Sequence, residues 1–239
     1  MKNLNEYRLE SEDYQLKDNS TIGDNGVEVY FRNLEDKLIG HINNADSVFG
    51  AVAWLTSEPI LNALSHKNHV QIIVQKEDFL KPDTDDNNGL YYNKKLRKKY
   101  EGLSCNIFRG EFMNWLLGVT IMYPNESGEY DDSLEAVRCV GNYNKDKKPA
   151  FPRMHNKFLI FADVEIFDDC GYPVNIVKPY AVWTGSFNFS HNATNSFENA
   201  VYITDQKVVD AYFNEYTQIA AISEPLDWTS DWIAPQWKL

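Results

Sequence analysis

Apolar and polar residues alternate over "VEVYF" (residues 27–31), the period of a strand with one buried face. The period then lengthens: in "RNLEDKLIGHINNA", Leu34, Leu38, Ile39 and Ile42 recur at helical spacing. "SVFGAVAWLT" and "VQIIVQ" are almost continuously apolar, as strands covered on both faces are. Between them, "SEPILNALSH" opens with Ser57, a helix N-cap residue, and carries Pro59 in the first turn. Residues 90–102 read as a basic helix and "SCNIFRG" as a further strand. Strands alternating with helices predict an α/β layered domain, a mixed β-sheet flanked by helices on both faces.

Residues 110–132 are less regular, with an apolar "NWLLGVTIMY" followed by the acidic loop "PNESGEYDD". Strand signals return in "SLEAVRCVGN", "NKFLIFADVEI", "VKPYAVWTGS" and "ENAVYIT". An amphipathic helix, "DQKVVDAYFNEYTQIA", comes last. The division this implies is an N-terminal arm (1–25), one domain (26–220) and a Trp-rich tail (221–239). The tail's Trp228, Trp232 and Trp237 are expected to pack on the domain or on a dimer seam.

With 239 residues the chain is long enough for one substantial core. The polar, acidic N-terminus has no apolar signal-peptide segment, and no run is long enough to span a bilayer, so a cytoplasmic protein without a membrane partner is expected. Cys105, Cys139 and Cys170 stand far apart without a C-x-x-C pair and are read as buried reduced thiols. A net charge of −12 excludes a protein that coats nucleic acid over its whole surface, but not a local basic groove. Two stretches run against the acidic background. Lys94, Lys95, Arg97, Lys98 and Lys99 crowd one helix, where a solvated face is the plain alternative, and Lys147, Lys148 and Arg153 lead towards His155.

His155 and Lys157 stand two apart at the head of an apolar strand, and residues i and i+2 share a face. Downstream, "WTGSFNFS" turns through Gly185 to present Ser186 and Asn188, and Glu198 precedes the next strand. These residue types make a complete set for attack on a phosphodiester. A neutral imidazole is the nucleophile, and a carboxylate holds the proton on its other nitrogen. Lysine, hydroxyl and amide groups bind the phosphoryl oxygens. Gly185 permits a tight turn and close backbone approach.

H-x-K followed by G-S-x-N and a later glutamate resembles the phospholipase D superfamily, and "WTGSFNFS…NSFENAVYI" is most similar to its small bacterial nuclease branch. The resemblance implies a phospholipase D-like fold and a metal-independent phosphodiesterase that needs no cofactor and works through a covalent phosphohistidine. His155 is then the nucleophile, Lys157, Ser186 and Asn188 hold the phosphate, and Glu198 positions the imidazole. Members of the family use two H-x-K motifs per site, and this chain has one, so two copies are expected to share a site across a two-fold axis. Nucleic acid is the expected substrate, with the basic stretches as its track and His191 as a further contact. An acidic remainder suits an enzyme restrained or delivered by a regulatory protein partner. Alternative readings are a phospholipid head-group hydrolase or transferase and a catalytically silent binding module. Two departures stand out. The family aspartate five positions after the lysine is Ala162 here, with Asp163 one place late and facing the other way unless a bulge intervenes. Residues 164–180 form a long insertion that reads as a hairpin.

Overall fold

The computed structural model describes residues 17–80, 90–107, 135–143, 149–169 and 172–226. Helix α1 spans Leu34–Asn44, α2 Glu58–Leu64, α3 Leu90–Glu101 and α4 Gln206–Ala221. The strands are β1 (Thr21–Ile22), β2 (Val27–Tyr30), β3 (Ser47–Val52), β4 (His69–Gln75), β5 (Val137–Val140), β6 (Asn142–Tyr143), β7 (Pro149–Ala150), β8 (Lys157–Asp169), β9 (Tyr172–Gly185), β10 (Ala200–Ile203) and β11 (Glu224–Pro225). One nine-stranded sheet runs in the order β1-β2-β10-β9-β8-β3-β4-β5-β11, and β6 pairs with β7 apart from it. Strands β3, β4 and β5 are mutually parallel, while β8, β9, β10 and β2 join on antiparallel. The mixed sheet expected from the sequence is therefore present.

Strand alternation sorts the core into two clusters, one on each face. Val48 and Val52 of β3 and Leu159 and Phe161 of β8 pack with Leu34, Leu38 and Ile42 of α1, Ile60 and Leu64 of α2, and Leu96 and Tyr100 of α3. Phe49 and Ala51, with Phe158, Ile160 and Ala162, pack instead on Val209, Phe213, Tyr216 and Ile219 of α4. Each fully buried Leu or Phe of this kind is worth about 1.5–3 kcal/mol over leaving it in water. The apolar β3 and β4 segments read as strands covered twice because helices do lie on both sides. The start of α2 follows the predicted chemistry, with Ser57 Oγ accepting from Ile60 N at 3.3 Å and Pro59 in the first turn; at the start of α4, Asp205 Oδ1 accepts from Val208 N at 3.2 Å.

One assignment made from the sequence needs correction. Within "SCNIFRG" the described residues form no strand, and Cys105 makes a single bridge to His69. The reason is competition for an edge: from Ile72 onward that side of β4 is taken by β5, leaving only its first residues free. In addition, the arm and tail assigned by composition each lend the sheet a strand, Thr21–Ile22 at one edge and Glu224–Pro225 at the other. Two-residue strands give too short a pattern to be read from alternation. The tail tryptophans, Lys147, Lys148, Cys170 and "NWLLGVTIMY" lie outside the described residues. Cys139 is buried and Cys105 partly so, and burial pushes both thiols up to about 12, as expected of reduced, inert cysteines.

The long insertion is a hairpin, as its sequence suggests. β8 and β9 stay paired out to Asp169 and Tyr172, well beyond Ala162, where β8 leaves its other neighbour β3. A bulge does occur between Phe161 and Ala162, but the pairing jumps from Ala181 to Pro179, so the extra residue is Tyr180 of β9. Strand β8 keeps its alternation: Ala162 is fully buried and Asp163 is exposed. The bulge does not bring Asp163 to the position of the missing aspartate.

Candidate active site

One end of the sheet gathers the chemistry. Val52, at the end of β3, pairs with Lys157 at the head of β8, and Ala53 N donates to Asn156 O at 2.8 Å. Gly185, at the end of β9, pairs with Ala200 at the start of β10. His155 and Lys157 therefore precede or open one strand, Ser186 and Asn188 follow the next, and Glu198 precedes a third. A side chain at Gly185 would put its Cβ 2.1 Å from Asn199 O and 2.7 Å from the Ala200 Cα, so only glycine allows this approach. The Asn188 loop is fixed from the far side. Phe189 N donates to Trp54 O (3.1 Å), and Phe189 O accepts from Thr56 N and Ser57 N (both 2.8 Å).

Lys157 is 8% exposed, and its Nζ lies 3.0 Å from His155 O, 3.1 Å from Nδ1 and 3.5 Å from Nε2. His155 itself is exposed. Burial pulls its imidazole below the ordinary value, and the neighbouring charges of Lys157 and Arg153 pull it further the same way. Both effects favour the neutral ring, the state in which a nitrogen lone pair is available. Burial also lowers the Lys157 ammonium, an effect opposed by the Glu198 carboxylate.

Ser186 and Glu198 form a second unit. The Ser186 hydroxyl donates to Glu198 Oε2 and accepts from Asn199 N at 3.1 Å, while Ser186 N donates to Asn199 O at 3.0 Å. The carboxylate expected to hold the His155 ring holds this hydroxyl and acts on Lys157 through its charge. Asn188 is half-buried, and its Oδ1 is buried with no hydrogen-bond partner.

Sequence reasoning passed over the groups that steady the histidine segment. Gln75 Oε1 accepts from Met154 N at 2.7 Å, and Glu77 Oε1 holds Arg153 Nη1 at 3.2 Å. The Trp54 side chain hydrogen-bonds to Glu77, whose carboxyl is raised above the usual range chiefly by burial and drawn back by Arg153. A usable signal existed, because Gln75, Lys76 and Glu77 end a parallel strand, and sites in α/β sheets gather at such ends. The helical cations are less available than the sequence implies: Lys95 and Lys99 pair with Glu58 at 2.6 and 3.4 Å. Lys94 and Lys98 are exposed, Arg97 is half-buried, and His191 is exposed at the start of a one-turn helix, His191–Thr194.

The family described as cardiolipin synthase, PLD-like domain, matches residues 38–220, which contain every one of the five central side chains. The chain belongs to the phospholipase D-like family. Over 240 residues this phospholipase D-like chain is 34% identical to the uncharacterized protein L381 of Acanthamoeba polyphaga mimivirus, covering 96% of this chain and 76% of that one. Among solved structures it is similar to NucT from Helicobacter pylori, with a TM-score of 0.44 and 20% identity over 82% of this chain and 96% of that one. It is also similar to Nuc, a phospholipase D family member from Salmonella typhimurium, with a TM-score of 0.41 and 16% identity over 82% of this chain and 95% of that one. Among the described residues, no helix is long and apolar enough to cross a membrane.

Proposed function

We propose that this phospholipase D-like protein is a phosphodiesterase that cleaves nucleic acid through a phosphohistidine, in a site completed by a second copy of the chain. The observation that carries this reading is the contact of the His155 ring with the buried Lys157 side chain, Nζ 3.1 Å from Nδ1, at the head of β8. His155 attacks phosphorus through one ring nitrogen, forming an N–P bond as the P–O bond to the leaving group breaks. Lys157 neutralises the non-bridging oxygens, and Ser186 and Asn188 supply hydrogen bonds to them. Glu198 sets the Ser186 hydroxyl and offers a carboxylate to the imidazolium that forms.

The leaving oxygen needs a proton, and the chain has one H-x-K motif. His155 of the partner subunit, protonated at the outset while the attacking ring is neutral, supplies it as general acid and then takes a proton from the water that cleaves the N–P bond, so the neutral and the protonated ring are both restored. Lysine provides the charge that a metal supplies in other phosphodiesterases, so no metal ion is required in this scheme.

Purified protein incubated with DNA and RNA in excess chelator tests the proposal. Cleavage that survives chelator and disappears in His155→Ala is expected, and activity retained in His155→Ala contradicts it. The description of the matched family gives a second reading, transfer between phospholipid head groups. Vesicles of phosphatidylglycerol in the same assay decide between the two.

A further inference from the structure

Among the described residues, the tryptophan and phenylalanine side chains left most open to solvent are Trp54 (39%), Phe151 (84%) and Phe197 (56%). All three are linked to site residues, by chain position or by contact. Phe151 lies four positions before His155 on the segment clamped by Gln75 and Glu77, and Phe197 is next to Glu198. Trp54 joins Glu77 through its side chain and the Asn188 loop through its backbone. The exposed aliphatic residues Ile22, Ile166, Ile176 and Ile222 lie elsewhere, at the sheet edge, on the β8–β9 hairpin and at the end of α4.

Each phenylalanine also carries a guanidinium. Arg153 lies over the Phe151 ring with 5.2 Å to its centroid, and Arg32 over Phe197 with 5.1 Å. An aromatic face beside an arginine, twice close along the chain to a residue of one phosphodiester-cleaving site, matches a ligand that alternates planar bases with phosphates. Bases in a duplex are stacked on one another and have no free face for these rings, whereas an unpaired strand presents every base.

We propose that Phe151 and Phe197, which neighbour His155 and Glu198 along the chain, are base-stacking platforms, making single-stranded nucleic acid the substrate, with Arg153 and Arg32 set beside them for the strand's phosphates. This rests on the nuclease reading above. The strand is held by its bases on the aromatic rings and delivered to His155 by its backbone. Trp54 supports the Phe151 side through Glu77 and Arg153.

The test compares wild type, Phe151→Leu, Phe197→Leu, the double leucine variant and Phe151→Trp. Leucine keeps an apolar side chain but has no π face. Hydrolysis of bis(p-nitrophenyl) phosphate, a small diester without bases, is measured beside cleavage of single-stranded and duplex DNA and RNA and beside anisotropy of a labelled single strand. Each leucine substitution is expected to raise KM and Kd for the single strand on the order of 10-fold. Small-diester hydrolysis stays unchanged, Phe151→Trp retains binding, and wild type cleaves duplex poorly.

Leucine variants that handle single strands like wild type overturn the proposal. So does an equal loss on the small diester, or conversion of the leucine variants from dimer to monomer, which would make the rings part of a subunit seam. A wild type that hydrolyses neither the small diester nor any nucleic acid sinks the nuclease reading itself. Phenylalanine-dependent binding of single strands in such a protein would still uphold the platforms.

Discussion

The Lys157 ammonium bridges two parts of His155, lying 3.1 Å from ring Nδ1 and 3.0 Å from the backbone carbonyl. The same contact fixes the ring's position and biases its protonation, because a cation at this distance disfavours a second positive charge. Lysine placed two residues after histidine is thus a local device for keeping a nucleophile neutral.

One consequence is a histidine that titrates low. By nuclear magnetic resonance, the His155 ring is expected to protonate below the ordinary imidazole value of about 6.5. A group whose protonated form is disfavoured remains neutral to lower pH, so the acid limb of activity also lies below that value. Lys157→Gln and Arg153→Gln should each move the His155 midpoint upward. An unmoved midpoint in both would leave burial as the sole cause.

Ser186 serves two partners, donating to Glu198 and accepting from Asn199 N. Ser186→Ala should lower kcat by about 10- to 100-fold, because it removes the hydroxyl that turns from Glu198 to the phosphoryl oxygens when substrate binds. Folding should change by only about 1–2 kcal/mol, as expected for two lost hydrogen bonds at an exposed position. Steady-state kinetics and urea unfolding of the same sample separate the two effects.

At Gly185 the effect should be on structure first. A methyl group there meets the backbone of Asn199 and Ala200, neither of which yields as a flexible side chain does. Gly185→Ala is expected to cost about 1–3 kcal/mol of stability, read by chemical denaturation, and to displace Ser186. Normal stability would mean that β10 shifts freely away from β9.

The central residues could be proposed from the sequence alone, and the reason is local. His155 with Lys157, and Gly185 with Ser186 and Asn188, are short-range patterns whose spacing follows from strand alternation and one tight turn. The helix caps at Ser57 and Asp205 are local in the same sense. The supporting groups were not legible, because Glu77 and Trp54 reach Arg153 and the Asn188 loop only once β4, β3 and β8 are assembled. Edge strands of two residues leave no periodicity to detect, and "SCNIFRG" has a strand's composition but finds its edge of β4 already occupied. The bulge beside Ala162 was conceivable from sequence, but which strand carried it depended on pairing.

Thiol chemistry offers an independent check on the fold. Cys105 and Cys139 titrate near 12 because burial penalises the thiolate. Mass spectrometry after labelling at neutral pH should find both unmodified in folded protein and both alkylated in urea. Rapid labelling of Cys139 under native conditions would contradict its buried place on β5, between β4 and β11.

The central claim is that His155 becomes covalently bonded to phosphorus, and this can be measured directly. Protein mixed with substrate in chelator, quenched within a turnover in alkali and digested should yield a peptide containing His155 with a phosphoryl-linked product attached. The adduct should be absent from His155→Ala and unaffected by removing divalent metal. Efficient cleavage with no such adduct at any quench time, or an adduct on another residue, would contradict the account.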